Sequence, residues 1–189
     1  AGGRIGLPMG PETHLRMPLA DFDRLRAAVA PCSFADATSV VRRVREVKSP
    51  AEIEKVRAAC RVADRAFARL PEIAGSGVPL EAVFRDFQIA CLEAGADRVA
   101  YLAGGAGRGG YCDVISLATA EPLAQTDVLM LDTGVVRDSY FCDLDRNVAI
   151  GMADDAVRRA HALLHAAVEA GLAAVRPGIQ AAALHRVMA

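Results

Sequence analysis

The chain has 189 residues, 53% of them hydrophobic and 24% charged, with 22 basic against 23 acidic side chains and a formal net charge of −1. That length fits one domain or one and a fraction, and it can bury a core without cross-links. Balanced charge excludes a polycationic nucleic-acid binder and an acidic solvating tail, while 5% aromatics and no Trp exclude a base-stacking platform.

The five cysteines, Cys32, Cys60, Cys91, Cys112 and Cys142, are odd in number, widely spaced and form no C-x-x-C pair. Neither a disulfide framework nor a zinc knuckle fits, and a reducing cytoplasm is the expected setting. No uncharged apolar run reaches membrane-span length, and the opening Ala-Gly-Gly-Arg-Ile-Gly lacks an apolar signal core, so neither a membrane nor a nucleic acid is the expected partner. The chain starts without Met and stops after Val187-Met188-Ala189 with no cap or polar tail; we expect it to be part of a longer protein.

In chain order, residues 4–7 read as a short strand. Residues 19–30 read as a helix with Phe22, Leu25 and Val29 on one stripe and Pro31 as its stop. Residues 33–37 form a second predicted strand, and Val40, Val41, Val44 and Val47 stand at helical spacing. Ser49-Pro50-Ala51-Glu52 is a helix start. Ser49 accepts from a first-turn N–H, Pro50 loses nothing by lacking one, and Glu52 reaches back to close a capping box. We place a domain boundary there, near Lys48.

The helix that follows carries Ile53, Val56, Cys60, Ala63, Phe67 and Leu70 at steps of three and four. A second amphipathic helix over 79–94 turns Leu80, Val83, Phe84, Phe87 and Cys91 inward, with Gly95 at its left-handed cap. The glycine-rich stretch 103–110 reads as a flexible loop. Residues 128–131 read as a buried strand by their unbroken apolar run, 137–139 as a turn, and 140–150 as an alternating strand. A third long helix starts at Asp154-Asp155, carries Val157, Ala160, Leu164, Val168, Leu172 and Val175, and stops at Pro177-Gly178; 179–189 begins another.

Asp132 lies at the end of an apolar run, where a charge is costly unless it is paired or holds a cation. On a regular strand Asp143, Asp145 and Asn147 share one face, and Tyr140, Cys142, Leu144, Val148 and Ile150 share the other with Arg146. Asp132 and Asp143 on paired strands can then aim at one point, where a hard or borderline divalent cation would neutralise them. From the residues alone a plainer reading stands slightly ahead, in which these aspartates are turn and edge residues paired with Arg137 and Arg146. Gly105-x-Gly107-x-x-Gly110 spells the dinucleotide fingerprint, but 111–118 is no amphipathic helix, so no cofactor-binding residue is assigned. His161 and His165 stand one turn apart without an acidic partner and read as surface or core-edge residues. Cys112 would need a base to act as a nucleophile and none is visible, so no catalytic residue is assigned.

Asp132-Thr133-Gly134 and, eleven residues after Asp132, Asp143, with Tyr140 and Arg146 in place, resemble the first metal-ligand motif of the pita-bread metallopeptidase family: methionine aminopeptidase, aminopeptidase P, prolidase and creatinase. The run 41–53 resembles the junction between a creatinase-type N-terminal domain and the catalytic domain, and Arg176-Pro177-Gly178 resembles a later turn of the family. The resemblance implies an α+β fold. Residues 48–189 would be an incomplete catalytic domain, the first half of a pita-bread fold with helices packed on a curved antiparallel sheet. Residues 1–47 would be the C-terminal part of an α/β N-terminal domain. Asp132 and Asp143 would be ligands of two divalent metal ions (Mn, Co, Zn or Fe), joined by a His and two Glu from beyond Ala189, so that these residues alone need hold none. The implied activity is hydrolysis of an amide or related C–N bond by a metal-bridged water, of the Xaa-Pro aminopeptidase or prolidase kind, on a peptide or small molecule.

The sequence departs from the family in two further respects. Residues 104–127 contain no His, where family peptidases keep one for substrate and proton handling; Tyr111, Cys112 and Asp113 stand there instead. This leaves open a non-peptidase member acting on a small metabolite. Asp145 and Asn147 replace the usual Thr on either side of Arg146, and Asp145 is expected to pair with that arginine rather than add a ligand. Whether the chain is itself an enzyme stays open: the alternative is a catalytically incomplete fragment or pseudoenzyme that dimerises through an exposed sheet, and a homodimer is the expected assembly.

Overall fold

The computed structural model describes residues 2–113 and 117–189. Contacts divide it into two compact units, Ala1–Ile53 and Glu54–Ala189; the sequence sets its boundary a few residues earlier, near Lys48.

In the first unit, β1 (Arg4–Leu7) and β2 (Ser33–Asp36) pair in parallel, from Arg4 opposite Ser33 to Leu7 opposite Asp36, and α1 (Leu19–Ala28) makes the crossover. Phe22 of α1 meets Phe34 of β2 with ring centroids 5.2 Å apart. Helix α2 (Thr38–Glu46) starts two residues before the valine spacing indicates. The reason is polar: Asp36 Oδ1 accepts from the Thr38 amide at 2.9 Å and from the Thr38 hydroxyl at 2.5 Å, fastening the first turn. The Thr38 hydroxyl accepts in turn from the Gly10 amide at 2.8 Å.

Helix α3 (Pro50–Phe67) opens on the expected capping box: Glu52 accepts from the Ser49 amide at 2.8 Å and the Glu52 amide donates to Ser49 Oγ at 3.4 Å. Its inward face is Ala59, Val62, Ala63, Ala66 and Phe67, whereas Ile53 is 44% exposed. The small alanines allow close packing but give a weak periodic signal, so the larger residues point to the wrong start of the stripe. A short α4 (Leu70–Ile73) follows, then α5 (Leu80–Glu93), which buries all five residues expected of it together with Ala90. Gly95 has φ +103° and closes α5. The Ala96 amide donates to the Cys91 carbonyl at 3.0 Å and the Gly95 amide to that of Leu92 at 2.9 Å, the paired bonds of a Schellman cap.

Strands β3 (Arg98–Arg108), β4 (Asp127–Arg137) and β5 (Tyr140–Ala149) form an antiparallel sheet in that order. The expected flexible loop at 103–110 is instead strand as far as Arg108. Gly104, Gly105 and Gly107 lie opposite Leu131, Met130 and Val128. A Cβ on Gly104 would run into the Met130 carbonyl, and one on Gly107 would lie 2.5 Å from the Gly110 carbonyl. Glycine serves close backbone approach here rather than mobility. Only Gly109 and Gly110, with φ +73° and +150°, lead out of the strand. The turn between β4 and β5 is Asp138-Ser139, both left-handed at φ 51° and 64°, the geometry of a two-residue type I′ hairpin.

Leu129, Leu131, Val135 and Cys142 of the sheet share one buried core with Phe67, Val83, Phe87 and Cys91. The Phe67 and Phe87 rings pack with centroids 4.8 Å apart and planes tilted by 50°. Helix α6 (Asp155–Ala174) is capped by Asp154, whose Oδ1 accepts from the Val157 amide at 2.9 Å, and packs on α7 (Ala181–Met188). Its stripe of Leu164, Val168 and Leu172 is exposed, by 56%, 40% and 66%. Among the described residues no helix is long and apolar enough to cross a membrane.

Candidate metal centre

Strand alternation separates the two faces of the sheet. Leu129, Leu131 and Val135 of β4, with Cys142, Leu144 and Val148 of β5, face the helices. Asp132 and Gly134, with Asp143, Asp145 and Asn147, therefore face the other way. The register sets Asp132 opposite Asp145 and Gly134 opposite Asp143. Asp143 and Asp145 are exposed and Asp132 is half-buried; like charges facing across a ladder repel, so a partner on this face stabilises them.

Strand β3 supplies one. Val99 pairs with Val135 and Tyr101 with Gly134, so Ala100 is an extra, bulged residue. A bulge reverses the alternation. Val99 packs against the core while Tyr101, two residues later, points to the carboxylate face. The buried Thr133 hydroxyl donates to the Tyr101 carbonyl at 3.2 Å and ties the bulge to β4. The Tyr101 hydroxyl lies 2.9 Å from Asp132 Oδ1 and 2.5 Å from Asp143 Oδ1.

Gly134 makes that reach possible. Tyr101, Gly134 and Asp143 form one row across three strands, so Tyr101 and Asp143 stand about 9–10 Å apart at the backbone, twice the usual strand spacing. The phenol ring must lie over the middle strand to cross that gap. A Cβ on Gly134 would collide with ring carbons of both Tyr101 and Phe141. Those two rings sit 6.1 Å apart over the glycine.

A phenol has one proton and cannot donate to two carboxylates at once. Burial pushes the Asp132 carboxyl above its ordinary range, and the neighbouring charges of Asp143 and Asp145 add to the rise while the Tyr101 hydrogen bond opposes it. Burial, followed by the two carboxylates, pushes the Tyr101 hydroxyl far up and keeps it a neutral donor.

The ion-pair alternative does not hold. Arg137 is 3.3 Å from Asp97, and Arg146 is 3.3 Å from Asp64 with its guanidinium over the Phe67 ring. Arg146 touches Asp145 only at the backbone carbonyl, 2.6 Å away, so the expected Asp145–Arg146 pair is not formed. Among the described residues no ion pair involves Asp132, Asp143 or Asp145, and no cluster of three or more His, Cys, Asp or Glu is arranged to hold a metal.

Elsewhere, His161 and His165 are exposed on α6 with ring centroids 6.5 Å apart, and Cys112 is exposed. A cleft of about 400 Å³ is lined by Tyr111, Val128, Asn147, Val148, His161 and Leu164. No helix among the described residues follows the glycines of the dinucleotide-like string before β4. Sequence reasoning missed Tyr101, because only the bulge brings it to this face. Its one cue was a hydroxyl-bearing aromatic beside small residues.

The sequence profile of metallopeptidase family M24 matches residues 54–189. A probable dipeptidase PepE of Mycobacterium bovis is 33% identical over 172 residues, 90% of this chain and 44% of that protein. The chain thus spans less than half the length of the curated relatives it matches. Among solved structures, an X-Pro aminopeptidase from Thermotoga maritima superposes with a TM-score of 0.85 at 25% identity, over 98% of this chain and 51% of that one. Dipeptidase PepE from Mycobacterium ulcerans superposes with a TM-score of 0.78 at 26% identity, over 100% of this chain and 48% of that one.

Proposed function

The chain belongs to metallopeptidase family M24, with that family's mixed helix and antiparallel-sheet fold, and we propose that it forms part of a hydrolase of Xaa-Pro or related dipeptides whose metal pair is held in part by Asp132 and Asp143. The observation that carries the reading is the convergence of those two carboxylates on a single phenol oxygen, with no arginine or lysine among the described residues paired to either. The donor set fits a divalent cation. Both donors are hard anionic oxygens, one is pushed toward protonation by burial and like charge, and a cation relieves that repulsion. Two carboxylates make an incomplete set, so the remaining ligands come from residues other than these. In this reading 48–189 contribute to the catalytic domain and 1–47 to a separate α/β domain.

When bound, a divalent pair supplies Lewis acidity and lowers the pKa of water, the means by which such centres cleave an amide at neutral pH. Asp132 and Asp143 would hold and orient it. The Tyr101 hydroxyl lies between one oxygen of each and has one proton to share between them, and Phe141 with the Tyr101 ring covers the strand beneath. A second reading, hydrolysis of a small non-peptide amide, is favoured by the absence of His from 104–127.

The test is to load the natural protein with Mn or Co and assay Ala-Pro, Ala-Ala and a non-peptide amide. Hydrolysis of the dipeptides, lost in Asp132→Ala and Asp143→Ala together with bound metal, supports the reading. Metal content unchanged in both variants removes the two residues as ligands. Turnover of the non-peptide amide alone supports the second reading.

A further inference from the structure

We propose that Tyr101 is the positioning residue of this centre: its hydroxyl holds the Asp132 and Asp143 carboxylates at one point, and the bulge at Ala100 exists to aim it there. The inference rests on the metal reading of the two aspartates. It goes beyond that reading by assigning a role to a residue outside the aspartate motif, on a third strand.

Three observations meet on this side chain. Without the extra residue at Ala100, Tyr101 would share the core face with Val99, and no hydroxyl would reach the carboxylates. Gly134 leaves bare the one stretch of strand over which the ring must pass. The hydroxyl then lies within hydrogen-bond distance of one oxygen on each aspartate, at 2.9 and 2.5 Å, and each carboxylate keeps its other oxygen free of that contact.

A neutral donor suits the task. An arginine in the same place would cancel the negative charge that attracts a cation, whereas a phenol orients the carboxylates and leaves their charge intact. Hydrogen bonds of this kind to ligand side chains are typically worth about 10–100-fold in metal affinity.

Tyr101→Phe isolates the hydroxyl, because the ring over Gly134 and beside Phe141 is retained. Co(II) affinity of the natural protein and its variants is measured by competition with a chelator, with the visible absorption of bound Co(II) and the unfolding temperature of the metal-free protein recorded in parallel. Tyr101→Phe is expected to weaken Co(II) binding about 10–100-fold and to change the Co(II) absorption band. Asp143→Ala should remove at least one ion. If Asp143→Ala loses metal while Tyr101→Phe keeps its affinity within about twofold and its spectrum, the positioning role is wrong and the aspartate assignment stands. A lowered unfolding temperature in Tyr101→Phe with unchanged affinity and spectrum likewise overturns it, since the hydroxyl would then serve the fold alone. If the unaltered protein binds no Co(II), or Asp143→Ala binds it equally well, both readings fall.

Discussion

Gly134→Ala sets two physical expectations against each other. Replacing a strand glycine by alanine ordinarily stabilises, by about 0.5–1 kcal/mol, because the unfolded chain loses freedom. Here the added methyl would collide with ring carbons of Tyr101 and Phe141. Phe141 is 44% exposed and can swing outward at little cost. Tyr101 cannot, since moving its ring takes the hydroxyl away from Asp132 and Asp143. One proton is shared between the two contacts, so a single hydrogen bond to a charged group is at stake, worth about 1.5–3 kcal/mol. Less the entropic gain, the variant is expected to be about 0.5–2.5 kcal/mol less stable. For a protein of this size that is a fall of about 1–10 °C in unfolding temperature. Thermal and urea unfolding followed by circular dichroism measure it. In a Tyr101→Phe background most of the loss should disappear, because the bond is already gone. A rise in stability, or an equal loss in both backgrounds, would refute the account of why glycine stands there.

Phe87→Ala removes a fully buried ring packed against Phe67 and should cost about 3–5 kcal/mol, read by urea unfolding. The Thr38 hydroxyl, then the amides of Thr38 and Met9, hold the Asp36 carboxyl below its ordinary value of 3.8. Its stabilisation is therefore present above pH 3.8 and lost as pH falls through the depressed value. Asp36→Asn should flatten that acid limb, measured as hydrogen exchange of the Met9 and Thr38 amides against pH. Burial pushes the Cys91 thiol up to about 11 and the Cys142 thiol upward as well. Native protein should accordingly react with iodoacetamide first at the exposed Cys112, and at Cys91 and Cys142 only after unfolding, as mass spectrometry of labelled peptides would record.

The parts of the fold that were legible in the sequence are those in which large apolar residues carry the period. Helix α5 announces all of its inward face but Ala90 through Leu80, Val83, Phe84, Phe87 and Cys91. The β4–β5 hairpin is equally plain, from one unbroken apolar run, one alternating run and a polar turn between them. Where small residues do the packing the signal fades. The alanines of α3 displaced the expected stripe, and Gly104, Gly105 and Gly107 made a strand look like a loop. Alternation put Asp132 and Asp143 within reach of one point, and the resemblance of the motif, not the pattern, chose that reading over pairing with Arg137 and Arg146. Alternation could not place Tyr101, because a bulge is a change of parity that no periodic template contains.

The hairpin also sets an expected order of events. Asp132 and Asp143 belong to a ladder closed by the two-residue turn Asp138-Ser139, and such a ladder zips in about 1–10 μs. Tyr101 arrives from a strand joined to β4 by a much longer excursion of chain, whose ends meet more slowly. The two acids should thus come side by side while water still screens them from each other, and the cost of half-burying Asp132 should fall due only when β3 docks, in the same movement that delivers the hydroxyl to meet it.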